Sequence, residues 1–166
     1  MASTNSSRWN SVQTSSETGN VDYVVKNPTT YVYGIYNDWL SVDENTLWAS
    51  KKTAYDPCPV GYRVPDGGAD GFWNTSGIYR AGGWKEANGL TFKNVLWCSE
   101  MDVWYPAAGT RYYGDGEFLG GYGEYWSVTY YKTGYAYSLY IDASGSCDGA
   151  SMSTKATGLS VRCCKE

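Results

Sequence analysis

The chain has 166 residues, no histidine and a formal net charge of −4. That length suits one domain with a core of its own. The charge argues against a phosphate-backbone partner, which needs an excess of Lys and Arg. The missing imidazoles exclude Ser-His-Asp and Cys-His catalysis and His-ligated metals.

In chain order, residues 1–20 are polar, rich in Ser, Thr and Asn, and carry no secretory-signal pattern. They read as a flexible leader or the end of a linker, with one ligand-binding domain expected over 21–166. Residues 21–32 (VDYVVKNPTTYV) predict a strand interrupted at Pro28, and 37–50 (NDWLSVDENTLWAS) a loop or short helical turn. YDPCPVGYRVP, at 55–65, holds three Pro and a Gly. Proline fixes φ and removes a donor, so this stretch predicts an ordered, extended connector around Cys58. The Gly-rich 66–84 predicts loops with a short helix.

From Leu90 the pattern changes. LTFKNVLW, VWYPAAGTRYY, EYWSVTYY, YAYSLYIDA and GLSVRCC are short apolar-alternating runs separated by Gly-containing turns, which predicts antiparallel strands. In YAYSLYID, Leu139 and Ile141 should point one way and Ser138, Tyr140 and Asp142 the other. The class is α+β, dominated by strands and loops. Trp48, Trp73, Trp97, Trp104 and Trp126 are expected mostly in the core, with Trp104 the one that could instead border the tyrosine-rich face. No run approaches the roughly 20 apolar residues of a membrane span.

The aromatic residues are skewed, with 17 Tyr and 8 Trp against 3 Phe. Tyr and Trp suit places where a large ring keeps one polar end in water or on a ligand. Ten of the Tyr fall between Tyr105 and Tyr140. Tyr, Ser and Gly together are the composition of antibody binding loops. The plainer reading is that Tyr favours sheets; against it, adjacent pairs such as Tyr112-Tyr113 and Tyr130-Tyr131 cannot both face a core. The five Cys include no CxxC or Cys/His metal spacing. Cys163 and Cys164 are neighbours whose side chains point to opposite faces of a strand, so their fates should differ.

The ordered series YDPCPVGYRVP, WYPAAGTRYYGDGEF, GGYGEYWSVTYY, YAYSLYI and GLSVRCC resembles the Fibrobacter succinogenes major paralogous domain family, found in surface proteins of gut Bacteroidetes and their phages. The likeness runs over roughly 21–164. It implies a C-type-lectin-like fold, with small antiparallel sheets, one or two short helices and long ordered loops. It also implies a bridge between Cys58 and Cys163, worth about 4 kcal/mol in a chain-entropy account; the alternative is a pair of buried thiols. The chain is similar too to the hypervariable target proteins of diversity-generating retroelements. There, mutagenised Asn codons become Tyr, Ser, Asp, Gly, Ala, Thr or Cys on the displayed protein. That similarity implies a variable ligand-binding set of Tyr112, Tyr113, Tyr122, Glu124, Tyr130, Tyr131, Thr133, Tyr135, Tyr137, Ser138, Tyr140, Asp142, Ser146, Asp148 and Ser151. Trp126, Ala136, Leu139, Ile141, Leu159 and Val161 would be the fixed framework.

The resulting expectation is a recognition or adhesin domain, not an enzyme, with no cofactor. Its partner would be a protein or glycan on another cell surface, with no nucleic acid and no membrane insertion. It would act as a monomer or small homo-oligomer outside the cell, on the cell surface or on a virion such as a phage tail. Two alternatives stand beside this. One is a fixed structural module of a surface protein or pilus tip. The other is a cysteine oxidase of the formylglycine-generating type, which Cys163-Cys164 invites but no motif supports. The calcium-lectin sequences EPN, QPD and WND are absent, and Asp115, Glu117 and Glu124 read as solvated loop acids rather than calcium ligands. Cys98 and Cys164 could pair or stay free, and Cys147 sits in the variable stretch.

Overall fold

A computed structural model describes residues 10–34, 37–75, 78–80, 89–94, 102–111, 117–118, 121–144 and 146–166. Its first elements are β1 (Asn10–Gln13), α1 (Val21–Lys26), β2 (Thr30–Tyr33), β3 (Tyr62–Arg63) and α2 (Phe72–Thr75). Then follow β4 (Ile78–Arg80), β5 (Gly89–Asn94), β6 (Asp102–Pro106), β7 (Thr110–Arg111) and β8 (Glu117–Phe118). The last are β9 (Tyr122–Lys132), β10 (Tyr135–Asp142), β11 (Cys147–Thr154) and β12 (Cys164–Lys165). Small sheets and short helices in this mixture are compatible with the α+β class.

The amino-terminal stretch differs from the sequence expectation twice. Asn10–Gln13 pairs in parallel with β2, so part of what reads as a leader is a strand. Val21–Lys26 is a helix, not the start of a strand. Its β-branched residues favour sheet, but its ends are set for helix. Asn20 takes the N-cap and accepts from the Tyr23 N–H at 2.8 Å. Asp22 lies in the first turn and Lys26 in the last, as the helix dipole prefers. Pro28 then stops the helix, because the residue before a proline is pushed out of the α region.

The connector at 55–65 is ordered around one buried carboxylate. Asp56 accepts from the Cys58 N–H and from Lys52 Nζ on one oxygen, and from the Val64 N–H on the other. Cys58 is bonded to Cys163, the pairing that the family resemblance implies. β12 pairs with β3 directly beyond it. The adjacent cysteines do part company: Cys163 is bridged, and Cys164 is a buried free thiol.

The centre of the molecule is the antiparallel sheet β9-β10-β11. Gly134, with φ +76°, turns β9 into β10. The outer edge of β9 is covered on both sides: the Trp126 N–H donates to Ser160 O and the Val128 N–H to Pro65 O, which leaves no open strand edge there. Gly67 sits so close to this sheet that a Cβ would lie 2.5 Å from Ser127 Oγ and 2.7 Å from Tyr137 Cβ. Only glycine lets the connector pack that tightly.

Trp73, Tyr105, Tyr125, Leu139 and Ile141 form the buried core. Trp73 Nε1 donates to the Tyr105 hydroxyl at 3.2 Å. Tyr105 and Tyr125 meet edge to face at 5.0 Å, and the Tyr125 hydroxyl donates to Pro106 O. Buried Tyr is tolerated because each hydroxyl finds a partner. Two of the ten clustered Tyr are therefore core residues.

Candidate functional site: one face of the central sheet

The register assigns the two faces of the sheet. Tyr125, Leu139 and Ile141 point into the core. On the other face Trp126 lies opposite Ser138, Glu124 opposite Tyr140, and Tyr122 opposite Asp142. β11 adds Asp148 opposite Tyr140, Ser151 opposite Ser138 and Ser153 opposite Ala136. The expected alternation of Leu139 and Ile141 against Tyr140 and Asp142 is what the strand adopts.

Tyr122 and Tyr140 are half-buried and stacked, ring centroids 5.8 Å apart. The Tyr140 hydroxyl donates to Asp142 Oδ2 at 3.2 Å, and burial is the first cause that pushes its proton affinity up. Asp142 also receives the Ser144 hydroxyl and the Ser146 N–H. The Ser144 bond comes first among the causes that hold its carboxyl low. Asp148 is exposed and ties its Oδ1 to the Ala150 N–H. Ser146 is exposed and Ser151 half-buried. These residues form one contiguous polar-aromatic patch.

At the hairpin end the tyrosines divide. Tyr130 lies on the face of Trp126 and Ala136, with Lys155 Nζ 5.5 Å from its ring. Tyr131 packs edge-on against Tyr137 at 5.1 Å, and Tyr137 pairs with exposed Met152. Successive strand residues point opposite ways, so Tyr131 and Tyr137 serve the other face. The reasoning that adjacent tyrosines cannot both face a core also means they cannot both face one ligand. Tyr135 accepts from Asn37 Nδ2 at 3.0 Å and lies under Lys132 Nζ. Thr133 is exposed at the turn.

Two expected contact residues are corrected. Ser138 is wholly buried and Glu124 is 7% exposed. The Ser138 hydroxyl donates to Glu124 Oε1 at 2.7 Å, and Ser153 donates to the same oxygen. Burial raises the Glu124 carboxyl above its ordinary value, against these two bonds. Both residues leave the sheet on this side but are covered, and they bond to each other. Glu124 is accordingly not a solvated loop acid. Tyr112, Tyr113, Trp97, Cys98 and Asp115 lie outside the described residues.

Trp73 and Trp126 are buried as expected; Trp104, left open between core and face, is half-buried, and Trp48, expected in the core, is only half-buried. Trp48 lines an open cavity of about 290 Å³ beside the sheet, with Trp39, Trp126, Tyr130 and the apolar side of α1. Its residues come from 21–55 and 126–155. The surplus of Trp in loops is the one sequence signal that could have found it.

Cys164 is buried, and that burial pushes its thiol up, away from the reactive thiolate. Among the described residues no His, Cys, Asp or Glu side chains gather as a metal-ligand set, and no helix is long and apolar enough to cross a membrane. Comparison of the chain with protein-family models, curated proteins and solved structures finds no match.

Proposed function

We propose that the chain is a non-enzymatic recognition domain of C-type-lectin-like fold, displayed outside the cell or on a virion. It binds a protein or glycan through the Tyr122–Tyr140 face of its central sheet. One observation carries this reading: Tyr140, stacked on Tyr122 of β9, and Asp142 alternate along β10 with Leu139 and Ile141, which are wholly buried. Contact residues and core residues are thus separate sets on the same strand. Exposed positions tolerate substitution within about 0.5 kcal/mol, whereas core positions do not, so such a face can change its side chains and keep its fold. Stacked tyrosines supply rigid contact area, and the Ser and Asp beside them supply adaptable hydrogen bonds.

The likeness to retroelement target proteins extends the proposal to natural variation. Sequencing the 3′ end of the gene across a host population should find substitutions concentrated at Tyr122, Tyr130, Tyr140, Asp142, Ser146, Asp148 and Ser151. Ser138 and the core should stay fixed. Direct binding is tested with the labelled full chain on host cells and a glycan array. Joint Tyr122→Ala and Tyr140→Ala should lower binding at least tenfold, with the unfolding midpoint nearly unchanged. Unaltered binding in that variant, or substitutions spread evenly over core and face, would overturn the reading in favour of a fixed structural module.

A further inference from the structure

The cavity beside the sheet lies between α1, the segment 38–55 and the floor made by β9 and β10. Its walls include the rings of Trp39, Trp48, Trp126 and Tyr130 and the side chains of Val24 and Leu47. No residue of α1 is buried, although the helix turns Val21, Val24 and Val25 to this cavity. Val25 remains 71% exposed and Tyr55 53%. Isolated exposed apolar residues need no explanation, but a rimmed apolar concavity marks a contact site.

Size and chemistry narrow the occupant. A volume of about 290 Å³ sits at the lower end of ligand cavities and suits one large side chain rather than an oligosaccharide. Most polar groups of the wall are already engaged. Trp48 Nε1 donates to Tyr55 O, Glu44 accepts from the Thr46 N–H and hydroxyl, and Lys155 is bonded to Asp38 and Asp43. A sugar ring pressed inside would leave hydroxyls unsatisfied, which is costly. An apolar side chain loses nothing there. Of the charged lining residues, Asp38 is buried against the Lys155 ammonium, which Asp43 beyond the lining also engages, and Glu44 is left half-buried at the surface, so the local charge is net negative.

We propose that this cavity is an anchor pocket for one aliphatic or aromatic side chain of a protein ligand, flanked in that ligand by Lys or Arg. The cavity opens beside Tyr130 and Ala136 of the candidate face, and the proposal rests on the reading of that face as a recognition surface. It selects a protein partner over a glycan.

The test uses the ¹⁵N-labelled full chain and the indole N–H signals of Trp39, Trp48 and Trp126. The probes are acetyl-Lys-Leu-Lys-amide, acetyl-Glu-Leu-Glu-amide, acetyl-Lys-Ser-Lys-amide and a methyl glucoside. The Lys-Leu-Lys peptide should give saturable shifts at these indoles, at least fivefold tighter than Glu-Leu-Glu, while the Ser peptide and the glucoside should not saturate. Val24→Trp, which fills the cavity, should abolish the effect. Should that variant fail to fold, Val24→Ser should weaken binding at least threefold. Saturation by the glucoside, equal affinity for the acidic peptide, no saturation by any peptide, or binding unchanged in the Val24 variants would each overturn the proposal. So would concentration-dependent shifts of the same indoles without peptide, which would make the occupant a second copy of the chain. The Tyr122 and Tyr140 variants should leave peptide binding intact. A silent pocket beside a functional tyrosine face therefore removes this inference alone.

Discussion

Glu124 shows why a period-two pattern cannot name every contact residue. Its strand position is on the outward face, yet its carboxyl is covered and held by Ser138 and Ser153. Alternation tells which side a side chain leaves from, not whether that side is covered further out. The consequence is a pH dependence. Burial raises the folded carboxyl above its ordinary 4.5. Below pH 4.5 it is neutral in both states. Between 4.5 and the raised folded value the unfolded chain gives up its proton first, so stability falls as pH rises through that window and stays lower above it. Glu124→Gln keeps an acceptor for both hydroxyls and removes the charge. It should raise stability at pH 7 by on the order of 1 kcal/mol and flatten this part of the curve, as urea unfolding between pH 4 and 8 would show.

Among elements, the carboxy-terminal hairpins were legible because Leu139 and Ile141 alternate with polar residues and Gly134 marks the turn. The amino-terminal helix was not. Val and Tyr favour sheet, and only the Asn20 cap and Pro28, both weak local signals, fix the helix. The aromatic cavity was invisible for another reason: Trp39 and Trp48 sit in loops, and nothing local brings them to Trp126. What holds that loop is the Lys155 ammonium, which donates to Asp38 at 3.1 Å, Asn45 Oδ1 at 2.5 Å, Asp43 and the Glu44 carbonyl. Burial alone would lower the Lys155 proton affinity, but the bond to Asp43 and the charge of Asp38 outweigh it and raise it. Lys155→Met should strand Asp38 as a buried, unpaired carboxylate and cost about 3 kcal/mol at pH 7. Lowering the pH should recover part of the loss by protonating Asp38, and denaturation at pH 7 and pH 4 would show it.

For the molecule as a whole, the bridge between Cys58 and Cys163 closes a loop of 105 residues. Its pairing was readable through the family resemblance; the odd cysteine count alone left it open. In a chain-entropy account such a closure stabilises by about 4–5 kcal/mol. Cys58→Ser with Cys163→Ser should lower the urea midpoint by a matching amount. The tyrosine face should persist in the fraction that stays folded, read by the unchanged near-ultraviolet spectrum.

The whole central sheet, from Tyr122 to Thr154, lies inside that closed loop. Once the contacts of the amino-terminal segment part, tension applied between the two ends of the chain passes from Cys58 straight to Cys163 and does not load the hydrogen bonds within the β9-β10-β11 sheet. Pulled between Asn10 and Glu166, the oxidised protein should extend less than the reduced one by about 370 Å, the span of 105 residues at about 3.5 Å each. The proposed face would then keep its shape while the chain's margins unravel.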